Sequence, residues 1–139
     1  MEKFDRPVGV QVFRCSGVQS FRGSVAGVQI LHKNVFGVPA IVEYELRYGL
    51  LRWPQQAREA RLAALSQLLR PMQMLPFDSE CAAFAARIRV ELEALSTPIG
   101  PHDTLIAATT LRHQATLVAR NVREFARVPG LQWQNWHDA

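Results

Sequence analysis

The chain has 139 residues, 48% hydrophobic and 20% charged, a globular mixture that excludes disorder as the main state. Its length suits one domain over residues 1–139, large enough to fold without a disulfide or metal staple. A formal net charge of +4 is compatible with a polyanion such as RNA or DNA, and specific for neither.

That charge is unevenly spread. Residues 1–42 carry five Lys or Arg against two acids, whereas the next 97 carry eleven Arg against ten acids. The charge-free stretches are far shorter than the ~20 apolar residues of a membrane-spanning helix, so no membrane partner is expected. Met1-Glu2-Lys3-Phe4-Asp5 places acids where an export signal has its apolar core. Cys15 and Cys81 stand apart, without redox or metal-ligand spacing. A reducing cytoplasm is therefore the expected location.

Residues 1–34 differ in texture from the rest. Gly9-Val10-Gln11, Gly17-Val18-Gln19 and Gly27-Val28-Gln29 repeat a tripeptide, which suits short strands joined by glycine turns better than a helix. Val35-Phe36-Gly37-Val38 reads as a buried strand. Pro39 suits the first turn of a following helix, predicted from about Ala40 to Arg52, with Ile41, Tyr44, Tyr48 and Leu51 as its apolar face. Trp53-Pro54 ends it. A second helix begins near Gln55, with Leu62, Leu65, Leu68 and Leu69 inward, and stops at Pro71.

Met72 to Phe77 reads as a strand, and Asp78 or Ser79 caps a third helix with Cys81, Phe84, Ala85, Ile88, Leu92 and Leu95 inward. After the Thr97–Gly100 loop, Pro101 opens a fourth helix carrying Asp103, Leu105, Ile106 and Leu111. Thr116–Ala119 reads as a strand, Val122–Phe125 as a short helix, and Leu131–Trp136 as a last extended run. Alternation of this kind predicts an α/β fold with a parallel sheet between helices. Ligands in such sheets bind beyond the carboxyl ends of the strands.

Two acids stand out. Glu45 lies between Tyr44 and Leu46 just after a buried-strand signal, and is either a structural carboxylate bonded to Arg or Tyr or a functional one. Asp103 lies in the first turn of the fourth helix, where free backbone N–H groups favour an acid, and also at the mouth of a βα crossover. Carboxylates that converge repel unless a cation or proton joins them, and Mg²⁺ or Mn²⁺ takes such hard oxygen ligands. The histidines are dispersed, and no phosphate-binding glycine loop or serine elbow is present.

From about Val35 to Trp136 the chain resembles the PIN-domain ribonucleases, specifically the VapC toxins of toxin–antitoxin pairs. The resemblance lies in Pro39-Ala40-Ile41-Val42-Glu43-Tyr44-Glu45-Leu46-Arg47-Tyr48-Gly49, in Leu75-Pro76-Phe77-Asp78, and in Thr97-Pro98-Ile99-Gly100-Pro101-His102-Asp103-Thr104-Leu105-Ile106-Ala107-Ala108. Asn121-Val122-Arg123-Glu124-Phe125-Ala126-Arg127-Val128-Pro129-Gly130-Leu131 and Asn135-Trp136 complete it. It implies a PIN-like α/β/α sandwich with a short parallel sheet, and an endoribonuclease site dependent on Mg²⁺ or Mn²⁺. Glu45 and Asp103 would hold the ion, and Asn121, with Glu124 nearby, would complete the site.

The resemblance also implies an RNA substrate, a VapB-like antitoxin and a homodimer. Two departures are visible. Ala119 stands where the family usually has Thr or Ser, and the family's amino-terminal Asp-Thr-Asn or Asp-Ser-Asn motif is absent. Asp5 is the candidate for its missing metal ligand. The other expectation is a catalytically impaired module that binds antitoxin or RNA without cleaving.

Overall fold

The computed structural model of the chain describes residues 12–15, 35–119 and 122–135. Among them, one sheet is built in the order β3-β2-β1-β4-β5, from β1 (Val12–Cys15), β2 (Val35–Pro39), β3 (Gln73–Leu75), β4 (Ala115–Val118) and β5 (Gln132–Gln134). The helices are α1 (Ala40–Leu51), α2 (Gln55–Leu69), α3 (Ser79–Ala94), α4 (Pro101–Arg112) and α5 (Val122–Phe125). The predicted alternation from Val35 onward is recovered in order.

The direction of the strands matters for the site. β2 pairs with β3 and β4 with β5 in parallel, as expected. The central strand differs: β1 runs antiparallel to both neighbours, with Phe13 opposite Gly37 on one side and Leu117 on the other. β2, β3, β4 and β5 therefore all point one way, and their carboxyl ends share an edge with the amino end of β1. A Val-containing segment occupies the middle of the sheet without carrying an acid into it.

Helix α4 passes through the core. Ile106, Ala107, Ala108, Thr109 and Thr110 are all fully buried. Small side chains at Ala107 and Ala108 admit close neighbours, and α3 packs along this helix. The buried threonines keep their hydroxyls satisfied within the helix: Thr109 Oγ1 donates to Leu105 O and Thr110 Oγ1 to Ile106 O, each at 2.8 Å. Leu92, Leu117, Phe125 and Leu75 complete the centre of the core.

Three helix faces differ from expectation. On α1, Val42 is buried and Ile41, Leu46 and Leu50 pack partly against the core, whereas Tyr44, Tyr48 and Leu51 are exposed. Residues four apart share a helix face, and the Val42-Leu46-Leu50 series won the inward side. Leu68 on α2 and Leu95 beyond α3 are also exposed, although predicted inward. Pro39 belongs to β2 and precedes α1 as its N-cap rather than lying in its first turn.

The cap on α3 is as predicted. Asp78 Oδ1 accepts the Cys81 N–H at 2.9 Å, and this bond, with Arg112 nearby, holds the Asp78 carboxyl below its ordinary range. Cys81 is packed inside and burial pushes its thiol up, which leaves it a core residue rather than a nucleophile. Asp78→Ala is expected to lower Tm by roughly 2–5 °C. Because the folded-state carboxyl is depressed, that difference holds above the unfolded pKa and fades as pH falls below about 4. Thermal melts of both proteins from neutral to acid pH check the sign.

Candidate active site

Glu45 and the start of α4 come together at the shared carboxyl edge. β2 leads directly into α1, so Glu45 stands in the second turn of the helix leaving that edge. α4 leads through a tight turn into β4 and runs against it, which returns its amino end, with His102 and Asp103, to the same edge. The Glu45 carboxylate is partly buried, and its Oε1 lies 2.7 Å from His102 Nδ1. An ionised carboxylate only accepts, so the imidazole N–H donates in this contact. Among the described residues, Glu45 thus bonds to histidine rather than to Arg or Tyr.

Asp103 is held in the first turn of α4, where Gly100 is the N-cap and Pro101 the first helical residue. Proline has no N–H to lose there, and the remaining amides favour an anion. Thr104 Oγ1 donates to Gly100 O at 3.0 Å and tightens the turn. From the other side, Glu124 Oε2 accepts the Gly100 N–H at 3.3 Å. A Cβ on Gly100 would lie 3.6 Å from Glu124 Oε2 and 3.9 Å from Asp103 Oδ2, so both carboxylates flank this glycine. Arg127 Nη1 donates to Pro98 O at 3.0 Å and ties the loop before α4 to the segment after α5.

The candidate site therefore has Glu45 beside His102, and Asp103 and Glu124 on either side of Gly100, drawn from three separate elements. Asp5 and Asn121, also expected at the site, lie outside the described residues. Sequence reasoning passed over His102, since it has no histidine partner at ligand spacing. Its position beside Asp103 in Gly100-Pro101-His102-Asp103 was the available signal. Among the described residues no three His, Cys, Asp or Glu stand close enough to hold a metal ion. The donors present, carboxylate oxygens, have the chemistry that a hard divalent cation requires.

Fold and site together define an α/β domain with acids gathered at the carboxyl edge of its sheet. A family model for the PIN domain matches residues 20–131. The chain is 33% identical over 110 residues to ribonuclease VapC2 of Rickettsia felis, covering 78% of this chain and 81% of that one. It is 32% identical over 99 residues to the tRNA(fMet)-specific endonuclease VapC of Salmonella typhimurium, covering 71% and 74%. The solved VapBC-1 structure from nontypeable Haemophilus influenzae superposes with a TM-score of 0.71 at 28% identity, covering 78% of this chain and 80% of that one. The chain belongs to the PIN-domain family, in its VapC group.

The Glu124 bond makes a prediction about how this edge is held. Glu124→Ala leaves the Gly100 N–H without its protein partner and should lower stability by about 1 kcal/mol. Glu124→Gln keeps an acceptor oxygen and should lose less. Denaturant midpoints of the two variants check the order.

Proposed function

We propose that this chain is the toxin of a toxin–antitoxin pair, an endoribonuclease that hydrolyses RNA phosphodiester bonds with Mg²⁺ or Mn²⁺. The observation that supports the reading is the Glu45–His102 contact, which sets Glu45 beside the helix turn that carries Asp103 in a VapC-family chain. Those two carboxylates would hold the ion, with Asp5 as the proposed third ligand and Asn121 as a polar neighbour. When bound, such an ion lowers the pKa of a water molecule and offsets charge on the phosphate.

The chain's own residues have definable tasks. Asp103 contributes a carboxylate from the first turn of α4, which Gly100 and Pro101 begin. His102 directs an N–H to Glu45 Oε1 and so fixes which way that carboxylate faces. Glu124 secures Gly100, and through it the turn that presents Asp103. Glu124 is a positioning residue in this scheme. A VapB-like antitoxin is the proposed partner, a homodimer the proposed assembly and the cytoplasm the proposed location. No helix among the described residues is long and apolar enough to cross a membrane.

Because one relative is named for tRNA(fMet), tRNA is the first substrate to try. Purified protein should cleave it with Mn²⁺, stop with EDTA, and resume when Mn²⁺ is restored in excess. Glu45→Gln and Asp103→Asn should each lower kcat about 100-fold or more. Cleavage that survives EDTA or both substitutions would sink the metal-nuclease reading.

The missing Asp-Thr-Asn motif favours the second reading, a binding module without activity. Wild-type protein inert on tRNA and other RNAs with either metal would establish it. If the enzyme is active, Asp5→Asn tests the proposed third ligand: a loss comparable with Asp103→Asn is expected, and an unchanged rate would remove Asp5 from the site.

A further inference from the structure

Three residues predicted on the core face of α1, Tyr44, Tyr48 and Leu51, lie in solvent, and the proposed chemistry does not use them. Tyr44 and Tyr48, one turn apart, are 55% and 50% exposed. Their ring centroids are 6.4 Å apart and their planes differ by 23°. Tyr44 also meets the His102 ring edge-on at 5.7 Å, and that imidazole bonds Glu45. At the other end the Arg52 guanidinium lies 5.8 Å from the centre of the Tyr48 ring. An aromatic strip thus begins at the acid site and ends at a cation.

Among the described residues, core packing does not call for it. The inward side of α1 is filled by Val42 with Leu46 and Leu50, and large apolar surface left in water is unfavourable. A contiguous exposed patch beside a site commonly marks recognition. The acid site has a need that the strip meets: bare carboxylates repel a phosphate backbone, so groups beside them add to what the proposed ion supplies in holding RNA. Aromatic faces together with cations bind unpaired nucleotides in this way, because every base has a π-face to stack.

We infer that Tyr44 and Tyr48 form a stacking platform for unpaired bases of RNA next to the cleaved bond, with Arg52 meeting the strand at its far end. The inference rests on the ribonuclease reading of the same site, and it names the substrate class. Bases in a duplex are stacked on one another and cannot lie on these rings, so the platform selects single-stranded loops or tails. The continuity with Glu45, the terminal arginine and the chain's net charge of +4 favour RNA over an apolar peptide as the occupant.

The test measures binding in EDTA, so that cleavage plays no part, with the full chain and a short end-labelled single-stranded RNA. The same strand carrying abasic residues, and the same strand annealed to its complement, are compared by fluorescence anisotropy. Tyr44→Leu with Tyr48→Leu should weaken single-strand binding about tenfold or more. Tyr44→Phe with Tyr48→Phe keeps both rings and should bind like wild type. Wild-type protein should bind the abasic and annealed RNAs as weakly as the leucine variant binds the intact strand. That comparison needs no substitution, so it stands even if a variant folds poorly.

Equal affinity of wild type for intact and abasic strands would overturn the inference. So would a leucine variant that binds the intact strand normally, including one that loses only its antitoxin. Ring-dependent binding by a protein that cleaves no RNA would remove the nuclease reading and keep the platform. Glu45-dependent cleavage of single strands, with KM indifferent to the rings, would do the reverse.

Discussion

The burial of α4 is the constraint on which the rest of this structure depends. A helix surrounded by neighbours over five consecutive residues, Ile106 to Thr110, cannot shift without disturbing α3, the sheet and α5 together. It is built for that position. Alanines let the neighbours approach, and threonines fill the space of valine while bonding their hydroxyls to the helix's own carbonyls. Its amino end is correspondingly fixed, and that end carries His102 and Asp103. The Asp103 carboxylate, proposed above for the metal, owes its placement to the buried residues of its own helix.

Around that fixed end, the other acids are brought in by short local contacts. Glu45 arrives on α1 and is met by His102; Glu124 arrives on α5 and is met by the Gly100 amide. Each bond gives a carboxylate a donor. The strands make this possible because β2 and β4 point the same way. Helices that follow or precede them therefore present the same end to one edge. The chemistry is gathered by topology first and by side-chain bonding second.

Much of this was legible in the chain, for identifiable reasons. Pro54, Pro71 and Pro101 punctuate the helices, Asp78 caps one, and the strand runs are short and apolar, so element order from Val35 could be read directly. Glu45 stood out between Tyr44 and Leu46 after a buried-strand signal, and Asp103 in the first turn of a helix at the mouth of a βα crossover. The face of α1 was not legible: Tyr44-Tyr48-Leu51 and Val42-Leu46-Leu50 are both helical stripes, and only tertiary packing chooses between them. Nor was the direction of β1, since a short strand pairs by backbone groups that every residue supplies. The Glu45–His102 contact spans distant sequence positions, and no local pattern announces it.

The edges of the sheet bear on how this chain meets others. β3 and β5, the outermost strands, are each three residues long. A margin that short offers few unpaired backbone groups, so it is a poor template for extending the sheet into a neighbour. Exposed Val90 and Leu95 are set on and just beyond α3, well separated in sequence from the tyrosines of α1. Blunted margins of this kind keep a sheet from adding strands edge to edge, so the chain stays closed to the commonest route of unwanted assembly.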